Sequence, residues 1–137
     1  MKTVNPRPEQ LADAFSNIPK GLPVVMLNLL KFREQALYPD GSADCTGRKA
    51  YERYSKEALV HLGIIGGKPI FMGKACAELI APPEEHWDEV LLVRYPSIEK
   101  FMEMVTNPDY QKSAVHRTAA LEDSRLVATV DSGNISA

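Results

Sequence analysis

The chain is apolar at both parities between Leu22 and Phe32, where Val24-Val25-Met26-Leu27 and Leu29-Leu30 flank a single amide, Asn28. A strand with one wet face alternates, so this segment is expected to be central in a sheet and covered on both sides. Ahead of it, Leu11, Ala14, Phe15 and Ile18 recur at helical spacing behind Pro8, and Pro19-Lys20-Gly21 closes the pattern. This predicts a short amphipathic helix over 8–18. Residues 33–47 hold Pro39-Asp40-Gly41-Ser42 and no usable period, which reads as a long loop. From Arg48 to His61, Tyr51, Tyr54 and Ala58 line one side of a helix and charged residues the other, and Gly66-Gly67 ends it.

A strand is predicted from Lys68 to Ile80, with Gly73 as a candidate bulge, followed by the turn Ala81-Pro82-Pro83-Glu84-Glu85-His86. A third strand runs from Trp87 to Tyr95. Pro96 stops it, and Ser97 can cap the helix through Phe101 and Val105. Asn107-Pro108 restarts a helix as far as Leu121, Ser124–Val130 is a fourth strand, and 131–137 reads as a flexible tail. The order is a helix followed by β-α-β-β-α-β. It predicts an α+β, ferredoxin-like antiparallel sheet (22–130) with both crossover helices on one face, in one domain spanning 1–137. The other face would carry about half of these apolar strands, more than a monomer usually exposes. A homodimer packed through its sheet faces is the expected cover.

Composition narrows the partners. At 137 residues the chain can bury a full core without staples, and a net charge of −2 gives no field for gathering polyanions. Neither nucleic acid nor a membrane is an expected partner. The N-terminal residues lack an apolar signal-peptide core, so the expected address is the cytoplasm. Cys45 and Cys76 have no metal or redox spacing and read as free thiols. No phosphate loop, nucleophile elbow or zinc-protease motif is present. No cofactor and no metal site is expected, and any chemistry would rest on positioning and a general base.

The candidate chemistry lies in polar residues at apolar places. Asn28, inside the first strand, must find hydrogen-bond partners: neighbouring backbone in a structural role, a ligand in a functional one. Arg94 shares the parity of Val90 and Leu92 at a strand end. It either pairs with an acid such as Glu78 or anchors an acidic substrate. Tyr54 and Trp87 are candidate cavity walls, with core packing the plainer role for Tyr54. His116, on the last helix beside Arg117, is the candidate base, weighed against an ordinary surface histidine. His61 and His86 read as ordinary, Lys31 as snorkelling to solvent, and Glu122-Asp123 as an ion network with Arg117 or Arg125.

The run Trp87-Asp88 to Arg94-Tyr95-Pro96-Ser97, with Phe101, Asn107-Pro108-Asp109-Tyr110-Gln111, His116-Arg117 and Leu121-Glu122-Asp123-Ser124-Arg125-Leu126, resembles the family known as domain of unknown function 1330. That family belongs to the dimeric α+β barrel superfamily, so the resemblance implies the dimeric barrel as well. The N-terminal helix and the long 33–47 loop depart from its compact members. No catalytic residue carries over. Superfamily relatives include cofactor-free monooxygenases, isomerases and haem-associated proteins, and fold analogy of this kind sets an expectation without showing chemistry. Three readings stand. One is a protein binding a small organic molecule between sheet and helices, roofed by the 33–47 loop, with Asn28 and Arg94 orienting the polar end, and monooxygenase- or isomerase-like if it is an enzyme. The others are a non-catalytic dimeric module whose cavity is filled by its own side chains, and a haem-associated protein with His116 as ligand.

Overall fold

The computed structural model describes residues 1–131; the expected tail lies outside the described residues from Ser132 onward. The elements are α1 (Pro8–Asn17), β1 (Val24–Phe32), α2 (Gly47–Ile64), β2 (Lys68–Lys74), β3 (Glu89–Tyr95), α3 (Ile98–Val105), α4 (Pro108–Ala120) and β4 (Leu121–Val130). The strands form one antiparallel sheet in the order β2-β3-β1-β4, the expected ferredoxin-like arrangement. No helix among the described residues is long and apolar enough to cross a membrane.

Local chemistry sets the helix starts. Thr46, Ser97 and Asn107 each accept a backbone N–H with the side chain at the head of α2, α3 and α4. Such a cap is worth about 1 kcal/mol. At the exit of α2, Gly66 adopts φ +80° and Gly67 donates to the Leu62 carbonyl, so the chain reverses into β2 at a position where a side chain would be strained. The head of α2 is tighter still. A Cβ on Gly47 would lie 2.1 Å from the Arg33 carbonyl oxygen and 2.7 Å from that of Ala120, so the helix starts only where a side chain is absent.

Register assigns the two sheet faces. Val24, Met26, Asn28 and Leu30 of β1 face the helices, opposite Tyr95, Val93, Leu91 and Glu89 of β3. Val24, Met26, Val93 and Tyr95 pack with Ile98, Phe101, Met104 and Tyr110 in one core cluster, and Leu30, Ala50, Ala120 and Leu121 form a second. Tyr54 touches both. The opposite face carries Val25, Leu27, Leu29, Val90, Leu92, Phe71 and Val127. Phe71 and Val127 are each about half exposed, at 54% and 51%. The first helix does not roof this face, because α1 packs on α3 on the helix side.

Three details differ from the sequence reading. β2 ends at Lys74 rather than Ile80, and residues 75–88 form an irregular connection. The edge strand stops because Glu78 accepts from the Trp87 backbone and from His86, folding the segment on itself, while Pro82 and Pro83 carry no N–H for a ladder. The register slip lies between Pro69 and Phe71, not at Gly73. Pro69 has no donor, and Gly73 instead makes room for the Phe71 ring, which would lie 2.7 Å from a Cβ there. Finally, α4 runs into β4 at Leu121 without a loop, three residues earlier than the strand expected at Ser124.

Candidate functional site

Between the sheet and the helices lies a cavity of about 1570 Å³. Its floor is the helix-facing side of the sheet: Met26 and Asn28 from β1, with Glu89, Leu91, Val93 and Tyr95 from β3. Tyr51 and Tyr54 project from α2, Tyr110, Ala114 and Arg117 from α4, and Phe101 and Met104 close the α3 end. The remaining wall was not foreseen. It consists of α1, through Leu11 and Ala14, and of the N-terminal segment, through Val4 and Asn5.

That segment is tied down by backbone. Ser124 donates to the Thr3 carbonyl, Thr3 N–H donates to the Asp123 carboxylate at 2.9 Å, and Arg117 donates to the Val4 carbonyl at 2.6 Å. Arg125 binds Asp123 at 2.7 Å and reaches the Met1 carbonyl at 3.1 Å. Glu122 pairs with Lys31 at 3.2 Å and with Lys2 at 3.7 Å. The ion network expected at Glu122-Asp123 therefore exists, and it fastens the N-terminal wall. Lys31 reaches this ion pair at the surface with its side chain 35% exposed. Of the 33–47 loop, expected as the roof, Pro39 contributes to the lining, so the larger share of the closure belongs to the N-terminus.

Four tyrosines face this space. The Tyr54 and Tyr110 hydroxyls share a hydrogen bond at 2.7 Å, and the Tyr51 ring packs against Phe32 and Tyr54 with centroids 5.3 Å away in each case. The hydroxyls of Tyr51 and Tyr95 have no protein partner among the described residues. Burial pushes the Tyr51 phenol up to about 12 and holds those of Tyr54 and Tyr95 well above their ordinary range. All three are neutral donors at physiological pH.

Asn28 is 8% exposed, and its amide nitrogen donates to the carbonyls of Leu91 at 3.2 Å and Met26 at 3.4 Å. With the amide so placed, its carbonyl oxygen has no donor among the described residues and belongs to a side chain lining the cavity. The structural role weighed for Asn28 is met through its amide nitrogen, while its oxygen lines the cavity.

The expected site residues do not all converge. Asn28 and Tyr54 line the cavity. Arg94 stands on the other face of the sheet, opposite Val25 and Lys68, exposed and without an ion pair among the described residues; Glu78 is engaged with His86 and Trp87. Trp87 is buried in the connection before β3, with its indole N–H donating to Glu85 and the Arg125 guanidinium 5.1 Å above its ring. His116 turns outward from α4. Its Nδ1 shares a hydrogen bond with the Tyr38 hydroxyl at 2.7 Å, and its Nε2 lies 3.5 Å from Glu57, whose carboxylate accepts from Ser113. None of the three histidines lines the cavity. Among the described residues, no three His, Cys, Asp or Glu side chains are grouped as metal ligands.

A family model described as domain of unknown function (DUF1330) matches residues 38–130. The chain belongs to this family. A solved structure of methylated RPA0582 protein is 38% identical, with a TM-score of 0.89 and 95% of each chain covered. A second structure, of the RPA0582 protein of unknown function from Rhodopseudomonas palustris, is 36% identical with a TM-score of 0.88, covering 98% of this chain and 100% of that one. A dimeric protein of unknown function with a ferredoxin-like fold from Bacteroides fragilis shares 14% identity at a TM-score of 0.52, covering 80% and 96% of the two chains. That likeness extends to the fold alone. No curated protein matches the sequence. The DUF1330 match begins at Tyr38 and leaves out α1 and the N-terminal wall, whereas the RPA0582 structures cover nearly the whole chain.

Proposed function

We propose that this DUF1330 protein is a homodimer that binds a small, largely apolar organic molecule, of aromatic or alicyclic character, between its sheet and its helices. The observation that carries the reading is the cavity itself. It exceeds the roughly 300–1,000 Å³ of ordinary small-molecule pockets, its walls are mainly aromatic and aliphatic, and a few convergent polar groups lack protein partners. Polar groups without protein partners in a largely apolar lining are matched by a ligand that brings its own hydrogen-bonding groups. The Tyr51 and Tyr95 hydroxyls offer donors, and the Asn28 oxygen offers an acceptor. A space this large counts against a module filled by its own side chains. A haem in this cavity would find no imidazole ligand, since His116 is on the outside. A reaction here would draw on tyrosines and carboxylates.

Thermal denaturation against a panel of small phenols, aromatic ketones and alicyclic alcohols tests the reading. A ligand at 100 times its Kd stabilises the native state by about 2.7 kcal/mol. We expect at least one panel member to raise the Tm of the wild type and to raise that of Ala114→Trp less, because the indole would take up part of the cavity beside Tyr110 and Tyr54. A flat response across the panel would count against a small-molecule site.

The dimer follows from the bare sheet face, whose apolar residues are of the kind that pack sheet against sheet. The dimeric neighbour from Bacteroides fragilis supports it by fold. Leu27, at the centre of that face, gives a clean probe because it takes no part in the helix-side core. Light scattering at micromolar concentration is expected to give a dimer for the wild type and a folded monomer for Leu27→Glu. A monomeric wild type would remove the dimer and leave the cavity reading intact.

A further inference from the structure

Glu89 occupies an unusual place for a carboxylate. β3 turns Glu89, Leu91, Val93 and Tyr95 toward the helices, and Glu89 stands directly across from Leu30, which is fully buried. Across the β1–β3 ladder it is the diagonal neighbour of Asn28 on the same face. Its side chain lines the cavity, yet its carboxyl has no hydrogen-bond or ion-pair partner among the described residues. Inward-facing carboxylates ordinarily carry partners, because desolvating an unpaired charge is costly.

The charged groups nearby do not fill that role. Arg48 of α2 places its guanidinium over the Phe32 ring, 4.7 Å from the centroid. Lys74 is the cross-strand neighbour on β2, and Glu52 of α2 also lines the cavity. Asp88 is occupied in accepting the Phe32 N–H at 2.8 Å. Burial raises the Glu89 carboxyl above the usual carboxylate range; Arg48 opposes this in part and Asp88 adds to it.

We propose that Glu89 anchors the hydroxyl end of the cavity's ligand, accepting its O–H hydrogen bond while the ligand's ring lies against Tyr51 and Tyr54. This inference rests on the ligand-cavity reading and adds the ligand's polarity to it. Glu89 and the Asn28 oxygen are two acceptors on one stretch of floor. That pair suits a phenol or alcohol and disfavours a carboxylate or a bare ether, which would leave both acceptors unpaired or repelled. On this reading the half-buried carboxylate on the core side of a central strand gains its partner with the ligand.

The test compares 2-naphthol with 2-methoxynaphthalene, which has the same ring system without the donor. In fluorescence titrations at neutral pH, the wild type is expected to prefer the naphthol on the order of 10-fold or more, the size of a charge-assisted hydrogen bond. Glu89→Leu is expected to bring the ratio close to one, with a Tm at or above that of the wild type, because an unpaired carboxyl has been removed. Glu89→Gln keeps the shape and one acceptor oxygen, so its ratio should fall between the two; it carries the same comparison if the leucine disturbs the fold. The preference should also fade as pH falls through the raised carboxyl range, where Glu89 takes up a proton. Equal binding of both naphthalenes to the wild type, or an unchanged preference in Glu89→Leu and Glu89→Gln, would overturn the role of Glu89 alone. No saturable binding of either compound would overturn the role and the cavity reading together.

Discussion

Gly47→Ala is expected to be among the most damaging conservative substitutions in this chain. The added methyl meets the Arg33 carbonyl oxygen at 2.1 Å on one side and the Ala120 carbonyl oxygen at 2.7 Å on the other, and both are backbone. Neither can turn away as a side chain would. The same two oxygens serve the ladder that joins this corner, since Gly47 N–H donates to Arg33 and Arg33 N–H donates to Ala120. Forcing them apart combines overpacking with at least one broken buried hydrogen bond, a loss of about 4 kcal/mol. Gly63 is the natural contrast. It also lies in α2, nothing stands within 4 Å of a Cβ built on it, and Gly63→Ala is expected to stabilise by up to about 1 kcal/mol from helix propensity. Urea unfolding of both variants measures the difference; similar midpoints would contradict the packing described for the head of α2.

The second large effect is alkaline instability. Burial raises the phenols of Tyr51, Tyr54 and Tyr95, so the folded chain keeps these protons at a pH where the unfolded chain, with tyrosines near 10, gives them up. The unfolded state then binds fewer protons, and stability must fall as pH rises. For Tyr51 the fall begins near 10 and ends at about 12. Each such phenol contributes a slope of about 1.4 kcal/mol per pH unit inside its window, so three acting together give roughly 4 kcal/mol per unit. Urea midpoints taken between pH 9 and pH 11, with tyrosinate absorbance followed alongside, report this slope directly. Tyr51→Phe should reduce it by about a third, and because the Tyr51 hydroxyl has no protein partner the substitution should cost little at pH 7. Tyrosinate appearing near pH 10 without loss of structure would show that these rings are wetter than the cavity geometry implies.

The fold was largely legible because its signals are local. The unbroken apolar run of β1, the Pro96-Ser97 stop and cap, and the Asn107-Pro108 restart each act within a few residues, and together they leave few topologies open. The site was legible only in part. Period-two alternation told which residues of β3 share a face with Arg94, but not which face the helices cover; that depends on register, and the pairing of Asn28 with Leu91 puts Arg94 on the far side. His116 and Arg117 are neighbours in sequence yet about 100° apart around a helix, so one reaches Glu57 outside while the other reaches the N-terminal wall. The wall itself carries no periodic signal, because much of its attachment runs through the main-chain carbonyls of Met1, Thr3 and Val4. Glu89 carries no sequence signal of its own, and only its position across from Leu30 reveals it as an inward-facing carboxylate. Tyr51 and Tyr110 read as core stripes, which in packing terms they are; that a space lies beyond their hydroxyls cannot be inferred from spacing.

The central claim is that a small molecule enters the space between sheet and helices, and methyl-detected NMR of methionine-labelled protein tests it at named positions. Met26 and Met104 line that space, and Met102, two residues from Met104 on the same helix, does not. On titration with 2-naphthol, the Met26 and Met104 methyl resonances should move together and saturate while Met102 stays in place. Resonances of Met26 and Met104 that remain fixed at naphthol concentrations near its solubility limit would contradict the account.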